Sequence, residues 1–258
     1  MPIDVNQIIQ GLWIGSELSV MEQLSISSFL LNGHDYHLYV YDDLKHIPAG
    51  TVVLDAGEIL PSSCIFQYKG RPSYAGFSNF FRYKLLFERG GWWADTDTIC
   101  LKPFDFPNRY VFSTEITHRG RERVNSGVIK APAGSVVMEY AWEVCQTKNP
   151  ARLVWGEIGP RLMAKAVKKF GLERYKTSYQ TFCPIDYEEW RKLVQPGCDL
   201  LFDERTYAIH LWNEMWRLAG QDKNAKYHQT CLYEKLKRNY LPVSTAYEEN
   251  AGAAPNAV

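Results

Sequence analysis

Residues 77–104 read FSNFFRYKLLFERGGWWADTDTICLKPF, and the reading of this stretch decides the fold. The segment Tyr74 to Arg89 is the strongest helical pattern in the chain, and Gly90-Gly91 stops it. Trp92 to Ala94 then forms a short apolar strand that delivers Asp95 and Asp97 to its end. In extended chain, positions i and i+2 share a face, so the two carboxylates converge. Converging carboxylates repel unless a cation lies between them, and hard oxygen donors suit Mg²⁺ or Mn²⁺. At the carboxyl end of a strand in an open α/β sheet, phosphate oxygens of a ligand are placed to complete such a site. The plain alternative is a loop whose Asp and Thr side chains only hydrogen-bond their own backbone.

Working outward, Gln7 to Ile14 reads as a first strand closed by Gly15, and Ser19 to Leu31 as a helix stopped by Gly33. His37 to Tyr41 and Thr51 to Leu54 follow as strands. This β-α-β opening specifies the α/β class, with a mostly parallel, Rossmann-like sheet flanked by helices. Beyond the Asp pair, strands are expected at Tyr110 to Thr114, Ser126 to Lys130 and Tyr207 to Leu211. Helices are expected at Ser135 to Cys145, Pro160 to Phe170, Glu214 to Leu218 and Gln229 to Asn239, with 173–202 irregular. Residues 1–242 form one domain in this reading, and 243–258, rich in Ala, Asn and Glu, a disordered tail.

The bulk numbers exclude several classes. With 29 basic and 29 acidic residues among 258, the net charge gives no reason to expect nucleic acid or an anionic membrane as partner. The six cysteines are scattered, with no CxxC pair, so neither a zinc site nor a disulfide framework is expected. The start, Met1-Pro2-Ile3-Asp4, lacks a basic stretch followed by an apolar run, and no window of about 18 apolar residues exists. The expectation is a cytoplasmic enzyme, with room for peripheral association at the inner membrane face. The 16 Tyr, 12 Phe and 8 Trp provide faces for stacking on sugars and bases, although most aromatics in any protein are core.

Taken whole, 77–104 resembles the DXD sugar transferases, glycosyltransferase family 32 and its relatives, whose pattern is roughly (S)DxxRYxxLxxxGGxYxDxD. That group includes yeast-type mannosyltransferases, α-1,4-galactosyltransferases, bacterial capsule enzymes and, more distantly, clostridial glucosylating toxins. The resemblance implies a GT-A fold and divides the labour. Asp97 binds the metal directly, Asp95 contacts the metal shell and the donor's ribose or sugar, and Arg82 orients the donor sugar. Asn79 departs from the pattern, standing where most relatives carry Asp, and it bears on sugar identity.

Further matches to the family are shorter. Trp13, in Leu12-Trp13-Ile14-Gly15, is expected to stack on the nucleotide base; the alternative is an ordinary core Trp. Asn125, Ser126 and Gly127 resemble an NSG element lining the donor–acceptor cleft. The preceding basic loop (His118, Arg119, Arg121, Arg123) is either a solvated turn or a recogniser of an anionic acceptor. Gly156-Glu157-Ile158-Gly159-Pro160 resembles a helix start in which Pro160 has a structural use, leaving Glu157 as a candidate base. His210, in a late His-x-Trp segment, is the candidate third metal ligand or diphosphate contact, with Asn213 and Trp216 closing over the diphosphate.

The expected activity is a retaining, Mn²⁺- or Mg²⁺-dependent hexosyltransferase. Its partners are a nucleotide-sugar, a UDP-sugar by preference, and a saccharide or glycolipid acceptor, in surface polysaccharide synthesis. No catalytic nucleophile is evident, which favours front-face attack by the acceptor hydroxyl. Two other readings compete. Asn79 motivates a non-catalytic nucleotide-sugar-binding relative. Asp95-Thr96-Asp97-Thr98 also resembles the haloacid dehalogenase phosphatase motif, but that motif lies on the first strand of its domain, and here about 90 residues precede it.

Overall fold

The computed structural model describes residues 8–117, 119–198 and 200–241; the tail assigned to 243–258 lies outside them. The opening strands are β1 (Ile8–Leu12), β2 (Asp35–Val40) and β3 (Val52–Asp55), with helix α1 (Val20–Leu31) between the first two. Helix α2 (Ala75–Glu88) precedes β4 (Gly91–Ala94), β5 (Thr98–Cys100), β6 (Val111–Ile116) and β7 (Glu122–Ala131). Helices α3 (Val136–Gln146), α4 (Pro160–Lys169) and the short α5 (Tyr179–Phe182) lead to strand β8 (Ala208–His210). Helices α6 (Asn213–Ala219) and α7 (Leu232–Tyr240) end the chain's described part.

Six strands form one sheet in the order β3-β2-β1-β4-β7-β6. The pairs β3–β2, β2–β1 and β1–β4 are parallel, while β4–β7 and β7–β6 are antiparallel. This is the mixed, mostly parallel α/β architecture expected, with helices on both faces. Strand β4, paired on both sides, alternates its two tryptophans between the two cores, as a pleated strand must. Trp92 joins the cluster of Met21, Phe29, Trp216 and Tyr233, and Trp93 joins that of Phe77, Phe81, Met138 and Met163.

Helix α1 starts on a capping box: Ser19 and Glu22 satisfy each other's orphan N–H groups. Glu22 is fully buried, and Lys223 Nζ, from the distant segment before α7, meets its carboxylate at 2.6 Å. A buried carboxylate needs such a partner, so this pair ties the late part of the chain to the first helix.

One expectation about the Asp pair needs correction. Asp95 and Asp97 are not residues of an extended strand, because β4 ends at Ala94. The Thr98 N–H donates to Asp95 O at 3.0 Å, closing a turn that brings the two carboxylates together. A separate two-stranded ladder, β5–β8, then pairs Thr98 with His210. No helix among the described residues is long and apolar enough to cross a membrane.

Candidate active site

The turn after β4 opens onto a cleft of about 570 Å³. Asp95, Asp97 and His210 each bring a ligand atom to within 4.8 Å of the others, although β8 lies far along the chain from β4. Backbone bonds place them. Asp95 N–H donates to Gly127 O and Leu211 N–H to Asp97 O, both at 2.8 Å. His210 Nε2 lies 3.1 Å from Asp97 Oδ1, and the Asn213 N–H at the start of α6 donates to Asp97 Oδ2 at 2.8 Å. Trp212 holds a left-handed backbone (φ 61°) that turns the chain from β8 into α6, and its ring lies 4.0 Å from the His210 ring. A bulky residue in that region marks local constraint at a functional place.

Arg82 is the second anchor. It projects from α2, nine-tenths buried, with Nη2 3.0 Å from Asp95 Oδ1 and 2.8 Å from Ser78 Oγ, and Nη1 on Ser126 O. Its guanidinium lies over the Trp93 ring at 4.8 Å, and the Trp93 indole N–H donates to Asp95 Oδ1 at 2.9 Å. Asp95 Oδ1 is thus doubly occupied, which leaves Oδ2 facing the neighbouring groups of the centre.

The charges are tuned by burial and by one another. Burial raises the pKa of Asp95, with Arg82 opposing it. Burial also disfavours the charge on Asp97, but His210 and the Asn213 N–H outweigh it and hold that carboxyl below its usual range. In His210 the burial penalty is in turn overcome by Asp97, so the imidazole sits well above its ordinary pKa. Two carboxylates and an imidazole within reach of one another are a donor set that can hold a divalent cation. Asp95, Asp97 and His210 are the residues that fit it.

The other residues singled out in the sequence divide into three groups. Trp13, Asn79, Asn125, Ser126 and Asn213 line the same cleft. Trp13 is half-buried, its indole N–H on Glu17 O. Asn79 donates to Ala75 O at 2.8 Å and offers Oδ1 to the Ser126 hydroxyl at 3.4 Å. Gly127 lies beneath the centre: a Cβ there would come within 3.2 Å of Asp95 Oδ2 and 3.3 Å of the His210 ring. Two residues are not brought to the cleft wall. Glu157 is held by Lys148 Nζ at 2.6 Å, which lowers its pKa, and it accepts the Val154 N–H. Trp216 is fully buried against Trp190 and Tyr233, its N–H on Leu211 O.

Several residues in or beside the cleft were outside the sequence-based set. Glu115 is buried, ion-paired with Arg123 and accepting from Asn125 Nδ2 at 2.6 Å. Lys223 reaches Asn213 Oδ1 at 3.2 Å and sits 5.3 Å over the Trp13 ring. Trp93 and Trp212 contact the ligand carboxylate and imidazole directly. A tryptophan adjoining each ligand-bearing turn is the one signal that the sequence offered for the last two.

Residues 21–115 match the family "Glycosyltransferase sugar-binding region containing DXD motif", and 147–247 match "Alpha 1,4-glycosyltransferase conserved region". The human alpha-1,4-N-acetylglucosaminyltransferase is 24% identical over 177 residues, 62% of this chain and 48% of that protein. The mouse lactosylceramide 4-alpha-galactosyltransferase is 23% identical over 184 residues, 63% of this chain and 46% of that protein. The chain therefore spans about half the length of the curated relatives it matches. Among solved structures, the PaToxG glycosyltransferase superposes with a TM-score of 0.48 at 16% identity, covering 64% of this chain and 68% of that one.

Proposed function

Because the chain carries both conserved regions of the DXD-motif α-1,4-glycosyltransferases, we propose that it transfers a hexose from a UDP-sugar to a saccharide or glycolipid acceptor. The transfer retains anomeric configuration and serves surface polysaccharide synthesis. One observation carries this reading: Asp95, Asp97 and His210 converge beside Arg82 on the floor of a cleft whose wall includes Trp13.

A divalent cation held by Asp95, Asp97 and His210 supplies charge neutralisation for a departing diphosphate. The protein's own groups do the rest. Arg82, fixed by Asp95, Ser78 and Ser126, orients the donor sugar through the carboxylate it holds and adds a fixed positive charge where negative charge develops. Asn79 and Ser126 offer amide and hydroxyl groups to sugar hydroxyls. Trp13 provides a face for the base.

The cleft's remaining carboxylates support front-face attack. Among the described cleft residues these are Glu115 and Glu214; Glu115 is committed to Arg123 and Asn125, and Glu214 to Arg71 and Arg217. Their engagement in ion pairs favours direct attack by the acceptor hydroxyl, whose proton passes to the departing phosphate.

The test is thermal stabilisation by UDP- and GDP-sugars with and without Mn²⁺, on wild type and Asp97→Asn. Stabilisation by a UDP-sugar that requires both metal and Asp97 is the expected result. If no nucleotide-sugar raises the melting temperature under any condition, the assignment fails.

A further inference from the structure

Resting on that reading of the cleft, we infer that its wall beyond the metal centre is an acceptor subsite for an acidic saccharide, with Trp155 as the stacking face and Arg161 as the anion contact. Trp155 is 38% exposed and lines the cleft. The Arg71 guanidinium covers its ring at 3.8 Å, and Tyr68 lies against it at 5.0 Å. Held by these two contacts, the exposed part of the indole is rigid, which suits the C–H face of a sugar and loses little entropy on binding.

The charges around this face do not cancel. Arg82 is matched by Asp95 and Arg123 by Glu115. Arg71 and Arg217 share the single carboxylate of Glu214, at 2.7 Å each. Arg161, exposed on the first turn of α4, has no hydrogen-bonded or ion-paired side-chain partner among the described residues. Arg161 also interacts electrostatically with Glu157, whose carboxylate Lys148 holds. Arg71, Arg217, Arg161 and Lys148 thus stand against Glu214 and Glu157, and positive charge is in surplus at the Trp155 end of the cleft. The position fits an acceptor. Gly159, two residues before Arg161, packs against Asn79 and Ser126, where a Cβ would meet their polar atoms at 3.3 and 3.5 Å. The subsite therefore adjoins the wall assigned here to the transferred sugar. A sugar carboxylate or phosphate meeting a guanidinium gains a charge-assisted, bidentate contact that a hydroxymethyl group cannot match.

The experiment compares 4-nitrophenyl β-glucuronide with 4-nitrophenyl β-glucoside, which differ at C6 alone. Binding is followed by tryptophan fluorescence on protein already saturated with UDP and Mn²⁺, so that the donor's anion sites are filled. The expected result is about tenfold tighter binding of the glucuronide, the scale of one charge-assisted contact. Arg161→Gln should bring the two ligands to parity, and Trp155→Ala should weaken both. Each variant is checked for a cooperative melt, and Arg161→Glu, which should reverse the preference, gives a second reading at the same exposed position. Equal binding of the two glycosides, absence of binding by either, or a preference that survives Arg161→Gln overturns the inference. Metal-dependent stabilisation by a UDP-sugar is scored separately: its failure sinks the transferase reading, whereas its presence alongside indifferent glycoside binding sinks the acidic acceptor alone.

Discussion

His210 Nε2 meets Asp97 Oδ1 at 3.1 Å, and Asp97 carries its other oxygen to the Asn213 N–H at 2.8 Å. Asp97 holds the pKa of this imidazole above its ordinary value, and a divalent cation has to displace the proton to use the nitrogen. Mn²⁺ affinity should therefore tighten by about tenfold per pH unit on rising from the ordinary histidine range, then level above the raised pKa of His210. Titration of Mn²⁺ binding between mildly acidic and alkaline pH reads this slope. In the metal-free protein the sign is opposite: a raised histidine pKa gives stability that is present at low pH and lost as pH rises through the folded value. A flat Mn²⁺ profile would remove His210 from the ligand set.

Arg82 should tolerate no cationic substitute. Its planar fork contacts Asp95, Ser78 and Ser126 together and stacks on Trp93, a set that one ammonium cannot reproduce. Arg82→Lys is expected to lower kcat on the order of 10²-fold while the protein still melts cooperatively. Steady-state kinetics with the identified donor checks it, and turnover within a fewfold of wild type would count against Arg82's role.

Glu157 separates two mechanisms. Its carboxylate is committed to Lys148 and lies off the cleft wall. Glu157→Gln should leave turnover within about twofold and cost about 1 kcal/mol of stability, since the ion pair is partly exposed. A large fall in kcat with unchanged donor KM would instead make it the base.

Gly11 and Tyr36 form a pair that can be tested by double mutation. A Cβ at Gly11 would lie 2.5 Å from the Tyr36 hydroxyl, which is buried and without a hydrogen-bond partner. Gly11→Ala should destabilise by about 1–3 kcal/mol through overpacking. Tyr36→Phe removes an unsatisfied buried group and should be near neutral, and it should recover most of the loss in the double variant. Denaturant melts of the four proteins measure the coupling.

The elements before the Asp pair, and α2 above all, were legible from apolar spacing and glycine stops. So were the cleft positions of Asn79 and Arg82, which the long motif fixes along the chain, and of Asn125 and Ser126, which a shorter match supplied. What stayed hidden depends on contacts between distant segments. The antiparallel insertion of β7 beside β4 and the β5–β8 ladder are pairings that no local pattern encodes. Lys148 could not be foreseen as the partner of Glu157, nor Lys223 as the partner of Glu22. The end of the strand at Ala94 was legible, but the pair beyond it was given extended geometry where the chain turns, because a two-residue spacing brings side chains together in either conformation.

The β5–β8 ladder also has a consequence for synthesis of the chain. When Asp95 and Asp97 leave the ribosome, the strand bearing His210 has yet to be made, and the loop joining them must close over more than a hundred residues. A nascent or truncated chain ending before β8 would possess the acidic turn, and much of the six-stranded sheet, without the imidazole. On the reading proposed here, competence to hold the cation therefore waits for β8, however complete the sheet already is.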